Sequence, residues 1–429
     1  MACMKNLSFN THPKPMTYQQ KIKLLVKDEE VKNYFKIVED GIEMYASPEN
    51  KQQGIVECKV YESEKEEFIK FIKQIPDDSL ASFYQQKGIK KLSEIVSSWN
   101  NVLMNKPLPQ STSSHGHLKG MRVALDPGHL GGTMETAMIE ARYVIMAFQK
   151  GDTVRFNEGN LNLATAYLLK QKLEAEGAEV MITRNAKGHS AFDKSFEQWL
   201  KDDFANALEE EKNKGKIDIT LYQKLKTSKD LPYIYDRFFK YLDFRERARK
   251  INAFQPHLTI VIHYNIDSPN WDRRKEDVYQ PSDANYSMVF LAGGFMKKEL
   301  ADPRDRMEFL RLLLSDDLDN SLQICEKVQH KFVHDLKVPS VPHDDRLSYL
   351  KRGCVYADKE GIYARNLALT RMVRSPLCYG ETLCQDDGKE ARALAKEEIP
   401  AGDLMTSPRV AETAHAYFEA IHSYWKKHK

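Results

Sequence analysis

Two of the 13 histidines in this 429-residue chain stand where an apolar run meets a loop. His129 closes Leu125-Asp-Pro-Gly-His129, and His263 follows Ile260-Val-Ile and precedes Tyr264-Asn265. In open α/β sheets, ligands gather beyond the carboxyl ends of the strands, so two strand-end histidines can share one crevice. Two imidazoles and one carboxylate can hold Zn²⁺ with a coordination position left for water. Glu158, just ahead of a helix-like segment, is the third donor considered. A carboxylate there is also stabilised by the helix N-terminus alone. Glu381 lies late in the apolar run Leu377–Leu383, where burying a carboxylate is costly unless it is paired or used. It is either a solvent-edge residue or a general base. His330 and His334 share a helical face, but Lys331 occupies the position where the H-E-x-x-H motif has its glutamate, so the pair reads as surface. No phosphate-binding glycine loop or G-x-S-x-G elbow is present.

These side chains need strands and helices to carry them. From Met121 onward, short apolar strands alternate with amphipathic helices. Strands are expected at Arg122–Leu125, Ala178–Thr183, Leu258–Tyr264, Ser287–Leu291 and Leu377–Leu383. Helices are expected over Asn160–Glu176 and around Val410–Tyr424. This grammar predicts an α/β domain over 121–429, with a mostly parallel sheet covered by helices on both faces. Residues 1–104 read as a small α+β domain. It has a helix-like stretch over Lys21–Val38, a hairpin from Ile42–Ala46 and Ile55–Tyr61, and helices at Glu64–Lys73 and Leu92–Leu103. Residues 105–120, rich in Pro, Ser and Gly, read as a linker. About sixty residues, 185–241, form an insertion without strands. It contains an amphipathic helix over Phe196–Leu208 and an aromatic stretch from Tyr233 to Phe239. A connection of that length is usually functional or mobile.

Charge and composition narrow the classes. Lys and Arg number 64 and Asp and Glu 62, a net charge of +2, which offers no global attraction for nucleic acid. No apolar run approaches the roughly 20 residues that span a bilayer, and the first residues carry no secretory signal core. Cys3 reads as an ordinary thiol or as the remnant of a lipid-anchored end. The six cysteines form no C-x-x-C pair. Cys378 and Cys384, six steps apart on one strand, are separated by about 20 Å, beyond disulfide reach.

Four ordered blocks resemble the zinc-dependent N-acetylmuramoyl-L-alanine amidases of the Amidase_3 type. They are Val123-Ala-Leu-Asp-Pro-Gly-His129-Leu-Gly-Gly; Glu158-Gly-Asn-Leu-Asn-Leu-Ala with Leu173–Arg184; Phe244–Asn252 with His263-Tyr-Asn265; and Tyr363–Leu369 with Ser375–Glu381. The resemblance covers about 121–425. It implies one Zn²⁺ on His129, Glu158 and His263, with Glu381 as general base. Asn265, two residues past His263, is expected to orient substrate. The implied reaction is hydrolysis, by zinc-activated water, of the amide joining N-acetylmuramic acid to L-alanine in peptidoglycan. A periplasmic or envelope address follows, with an activator protein or envelope anchor as a further partner. A non-catalytic wall-binding protein and a zinc peptidase of stem peptides are the competing readings. Three departures stand out. The 29-residue interval between His129 and Glu158 carries an extra loop, Met138-Ile-Glu-Ala-Arg142, whose Glu140 rivals Glu158 as a ligand. Cys378-Tyr-Gly380 replaces plain aliphatics ahead of Glu381. The insertion is expected to cover the cleft or to pack on the flank.

Overall fold

The structure is a computed structural model that describes residues 15–75, 115–148, 151–267, 278–343 and 347–427. Cys3, the proposed helix at Leu92–Leu103 and most of the proposed linker lie outside the described residues.

A seven-stranded sheet organises the chain. Its strands in chain order are β1 (Arg122–Pro127), β2 (Glu179–Ile182), β3 (Leu258–Asn265), β4 (Met288–Ala292), β5 (Cys354–Tyr356), β6 (Ile362–Arg365) and β7 (Leu377–Cys384). They lie side by side as β5-β6-β4-β7-β3-β1-β2. Four of the six neighbouring pairs are parallel, and the pairs β5–β6 and β4–β7 are antiparallel. The mostly parallel α/β sheet expected from the alternation is therefore what forms. The short strands β5 and β6 escaped the sequence reading because three or four residues carry too little pattern.

Strand side chains alternate between the two faces. Val123, Leu125, Ile260, Ile262 and Cys378 enter the larger core. That core is covered by α1 (Glu158–Ala175), α3 (Asp317–His334) and α4 (Pro408–Trp425). Ala124, Val261 and Leu377 point the other way, against Ala248 and Ile251 of α2 (Lys240–Phe254). Helix α1 begins at Glu158, two residues earlier than its apolar stripe suggested, because Asn157 caps it by accepting the Asn160 N–H. His330 and His334 lie exposed on α3, as expected for a surface helix. The five described cysteines are buried, and Cys325, Cys354, Cys378 and Cys384 are free thiols. No helix among the described residues is long and apolar enough to cross a membrane.

Residues 15–75 form a helix (Tyr18–Leu25), three antiparallel strands (Phe35–Val38, Gly41–Met44, Cys58–Tyr61), a short helix (Pro48–Gln52) between the last two, and a closing helix (Lys65–Gln74). The helix-like reading of Lys21–Val38 needs correction. The α-helix stops at Leu25, a 3-10 turn spans Glu29–Tyr34, and a strand follows. Val26 leaves the helix to bridge Phe295 as a strand, and that tertiary pairing overrides local propensity. Ion pairs seat this unit on the α/β body: the buried Lys21 with Asp319 at 2.9 Å, and the half-buried Lys73 with Asp317 at 2.6 Å. The insertion has its own core of Phe196, Trp199, Leu225, Phe238 and Phe239, which also takes in Leu130. Its first helix is two helices, Phe196–Asp202 and Phe204–Asn213, broken at Asp203.

The unusual Cys378-Tyr379-Gly380 has a steric reason. A Cβ on Gly380 would lie 2.0 Å from the Tyr417 hydroxyl oxygen of α4. We expect Gly380→Ala to cost about 1–3 kcal/mol through overpacking. Tyr417→Phe in the same chain should recover part of that loss. Denaturant midpoints of the two single variants and the double variant check this.

Candidate active site

The loop after β1 is held almost entirely through its backbone. Four successive carbonyls, Pro127 to Leu130, accept from two buried guanidiniums. Arg184, at the end of β2, donates to Pro127 O at 2.9 Å, Gly128 O at 3.0 Å and Leu130 O at 3.0 Å. Arg247, on α2, donates to Pro127 O at 2.8 Å and His129 O at 3.1 Å. Asp126 and Asp243 supply the countercharge to Arg247 at 3.1 and 2.6 Å. Burial opposes the charge on both arginines. It pulls Arg184 down to about 10, whereas Asp243 and Asp126 raise Arg247 above its usual value. His129 is held at φ +61°, a left-handed conformation unusual for a residue with a Cβ.

The second histidine comes from the neighbouring strand. Its ring packs so closely on Gly128 that a Cβ there would lie 2.1 Å from His263 Nε2. His263 Nδ1 is 2.9 Å from Glu158 Oε1, and His129 Nε2 is 3.3 Å from the same oxygen. The two rings stand edge to face, 4.8 Å apart. One donor atom each from His129, Glu158 and His263 lies within 4.8 Å of the others, so the structure brings together the three residues picked out in the sequence. Among the described residues, a second such group, His117, Glu176 and His422, lies at the surface, where Glu176 pairs with His117 at 2.9 Å.

Burial opposes ionisation of Glu158, but His129 and His263 outweigh it and hold the carboxyl well below its ordinary range. For His263, burial dominates and favours the neutral ring, the form that ligates metals. Ligand atoms at 2.0–2.2 Å around a tetrahedral ion stand about 3.3–3.6 Å apart; the His129 separation of 3.3 Å falls in that range and the His263 separation of 2.9 Å lies a few tenths of an ångström below it. Two imidazoles and a carboxylate thus suit a zinc-like ion in both type and spacing. His129 Nε2 also accepts from Arg142 Nε at 3.3 Å, a bond that ligation would replace.

Glu381 reaches the same place by register. On adjacent parallel strands it is the direct partner of His263, and two residues earlier Tyr379 pairs with Val261. Tyr379 stacks on the His263 ring at 4.6 Å, nearly parallel. Burial and the charge of Glu158 push the Glu381 carboxyl up to about 8, against the pull of Arg365, His129 and Arg142. Asn265, at the end of β3, is buried with its side-chain nitrogen lacking a hydrogen-bond partner among the described residues. Gln385 Nε2 approaches Glu158 Oε2 at 3.4 Å.

Glu140 takes a different position from the one its rivalry with Glu158 suggested. It is not in the three-donor group. Its carboxylate lies behind His129, 3.4 Å from Nδ1. Arg184, Arg247 and Glu140 are the site residues that sequence reasoning left without these roles. Arg184 and Arg247 gave no signal beyond being charged within the matching blocks, and Glu140 was marked only as a rival ligand in the extra loop. A cavity of about 950 Å³ lies away from the donors, lined by Lys73, Trp199, Arg245 and Arg371 among others.

No protein-family model and no curated protein sequence matches the chain. Several solved structures are similar to it. The N-acetylmuramyl-L-alanine amidase Ami1 from Mycobacterium smegmatis shares 15% identity, with 72% of this chain and 98% of that one covered and a TM-score of 0.39. The amidase AmiC2 of Nostoc punctiforme shares 13%, covering 73% and 99%, with a TM-score of 0.36. The CwlD amidase from Clostridioides difficile, solved in complex with the GerS lipoprotein, shares 15%, covering 71% and 98%, with a TM-score of 0.32.

The raised carboxyl of Glu381 has a linkage consequence in metal-free protein. The folded state binds this proton more tightly than the unfolded chain does. The resulting stabilisation is fully present below the ordinary carboxylate range and is lost as pH rises through about 8. Glu381→Gln removes that loss. With chelator present, the stability of wild type relative to Glu381→Gln should fall by an amount on the order of a few kcal/mol between pH 5 and 9. Urea midpoints across that range measure it, and a flat difference would contradict the assignment.

Proposed function

We propose that the chain is a zinc-dependent hydrolase that cleaves the amide between N-acetylmuramic acid and L-alanine of peptidoglycan. The observation that carries the catalytic part is the convergence of His129, Glu158 and His263 with Glu381 in register beside His263. The choice of scissile bond rests on the four sequence blocks. A zinc ion held by these three residues supplies Lewis acidity, making water more acidic and polarising a carbonyl.

The chain's own groups do the rest. Glu381 takes a proton from water at the site and returns it to the leaving amine. Its pKa near neutrality suits a group that must both accept and release. Glu158 keeps its charge, as a carboxylate that holds a cation must. The unpartnered Asn265 nitrogen offers a donor to a substrate carbonyl. Because peptidoglycan lies outside the cytoplasm, this reading implies an envelope or periplasmic address, with an activator or anchor as an additional partner.

Glu381→Gln should keep one zinc per chain and lose roughly a hundred- to ten-thousand-fold in turnover. His129→Ala should lose the metal. Metal analysis and muropeptide hydrolysis measure both. Mass spectrometry of digested sacculi separates the readings. Free lactyl ends with intact stem peptides support the amidase. Cuts within the stems mean a peptidase, and folded wild type without zinc or products means a non-catalytic protein.

A further inference from the structure

The insertion reaches the back of His129 through a buried hydroxyl. Its aromatic stretch ends in a widened helical turn, Tyr235–Phe239, with π-type hydrogen bonding. Such turns displace side chains from the usual helical positions and recur at functional sites. Here the Tyr235 ring is buried between Phe196 and Phe239, with centroids at 5.6 and 5.8 Å. Its hydroxyl donates to Glu140 Oε2 at 3.0 Å. The Glu140 carboxylate is enclosed and has three further neighbours. It accepts the backbone N–H of Leu130 at 3.0 Å and of Gly131 at 3.1 Å, and it faces His129 Nδ1 at 3.4 Å. The other nitrogen of that ring, Nε2, faces Glu158.

We infer that Glu140 and Tyr235 are positioning residues for the metal site, so that the 185–241 insertion acts as a buttress behind His129. The inference rests on the metal-site reading of the donor triad. A carboxylate on the outer nitrogen of a ligating histidine fixes the tautomer, holds the ring plane and raises the basicity of the ligating nitrogen. Glu140 also ties down the two N–H groups that follow the left-handed His129, so one side chain steadies both the ring and its backbone. The Tyr235 hydroxyl selects one orientation of that carboxylate and makes it depend on the insertion being folded. Tyr235 therefore acts only through Glu140.

The test is a double-mutant cycle on the full chain, read by zinc affinity in competition with a chromophoric chelator and by the visible spectrum of the cobalt-substituted protein. Glu140→Gln should weaken zinc roughly 10- to 100-fold and alter the cobalt bands. Tyr235→Phe, which keeps the packed ring, should weaken it by a smaller factor and shift the bands in the same direction. In the Glu140→Gln background, Tyr235→Phe should have no further effect. Circular dichroism checks that each variant folds. If Glu140→Gln does not fold, an unchanged affinity and spectrum in Tyr235→Phe still overturns the inference. Equal losses from Tyr235→Phe in both backgrounds would make it a packing residue and overturn the relay. Unaltered affinity in Glu140→Gln beside a zinc-binding wild type overturns this inference alone. A wild type that takes up no zinc overturns the metal-site reading as well.

Discussion

The loop from Asp126 to Gly131 carries His129 into the three-donor group only because charged side chains replace the hydrogen bonds its backbone cannot make within the sheet. Arg184 and Arg247 together satisfy four consecutive carbonyls. A buried carbonyl left without a donor costs about 1–3 kcal/mol, and buried guanidiniums are costly without countercharge. Asp126, Asp243 and Glu140 provide that charge. Loop and charges are therefore mutually dependent: each is tolerable in the interior only because the other is present. The left-handed backbone of His129, which aims its ring at Glu158, is one consequence.

The rest of the site is a matter of register. Parallel pairing of β3 and β7 sets Glu381 beside His263, and pleating puts both on the face that Val261 and Tyr379 share. A one-residue slip of β7 would send Glu381 to the face opposite His263. Gly128 lets the His263 ring approach β1, and Gly380 admits the Tyr417 hydroxyl, so two absent Cβ atoms sit where layers press closest. Glu158 arrives by another route, at the first turn of a helix whose dipole favours its charge.

Seen this way, the insertion is part of the site's support. Its aromatic core takes in Leu130, directly after His129, and its one buried hydroxyl at that junction reaches Glu140. Packing and hydrogen bonding converge on the same few backbone atoms. Residues 15–75 are fastened elsewhere, through Lys21 and Lys73 to the loop and helix around Asp317 and Asp319.

From the sequence alone came the strand–helix alternation, the parallel sheet, and His129, Glu158, His263 and Glu381 as strand-end or helix-start residues. Each of these is local. Apolar period, a loop after a strand and a carboxylate in an apolar run can all be read within about ten residues. The roles of Arg184, Arg247, Glu140 and Tyr235 could not be read that way. Their partners lie up to 121 residues distant, and an arginine in a charged helix has the same sequence signature whether it faces water or a buried carbonyl. Nor could periodicity show that Val26 ends a helix by pairing with Phe295, or that β5 and β6 complete the sheet. Local pattern specified which residues form each element. Only the folded chain, by removing water from between distant elements, decided which charges had to meet.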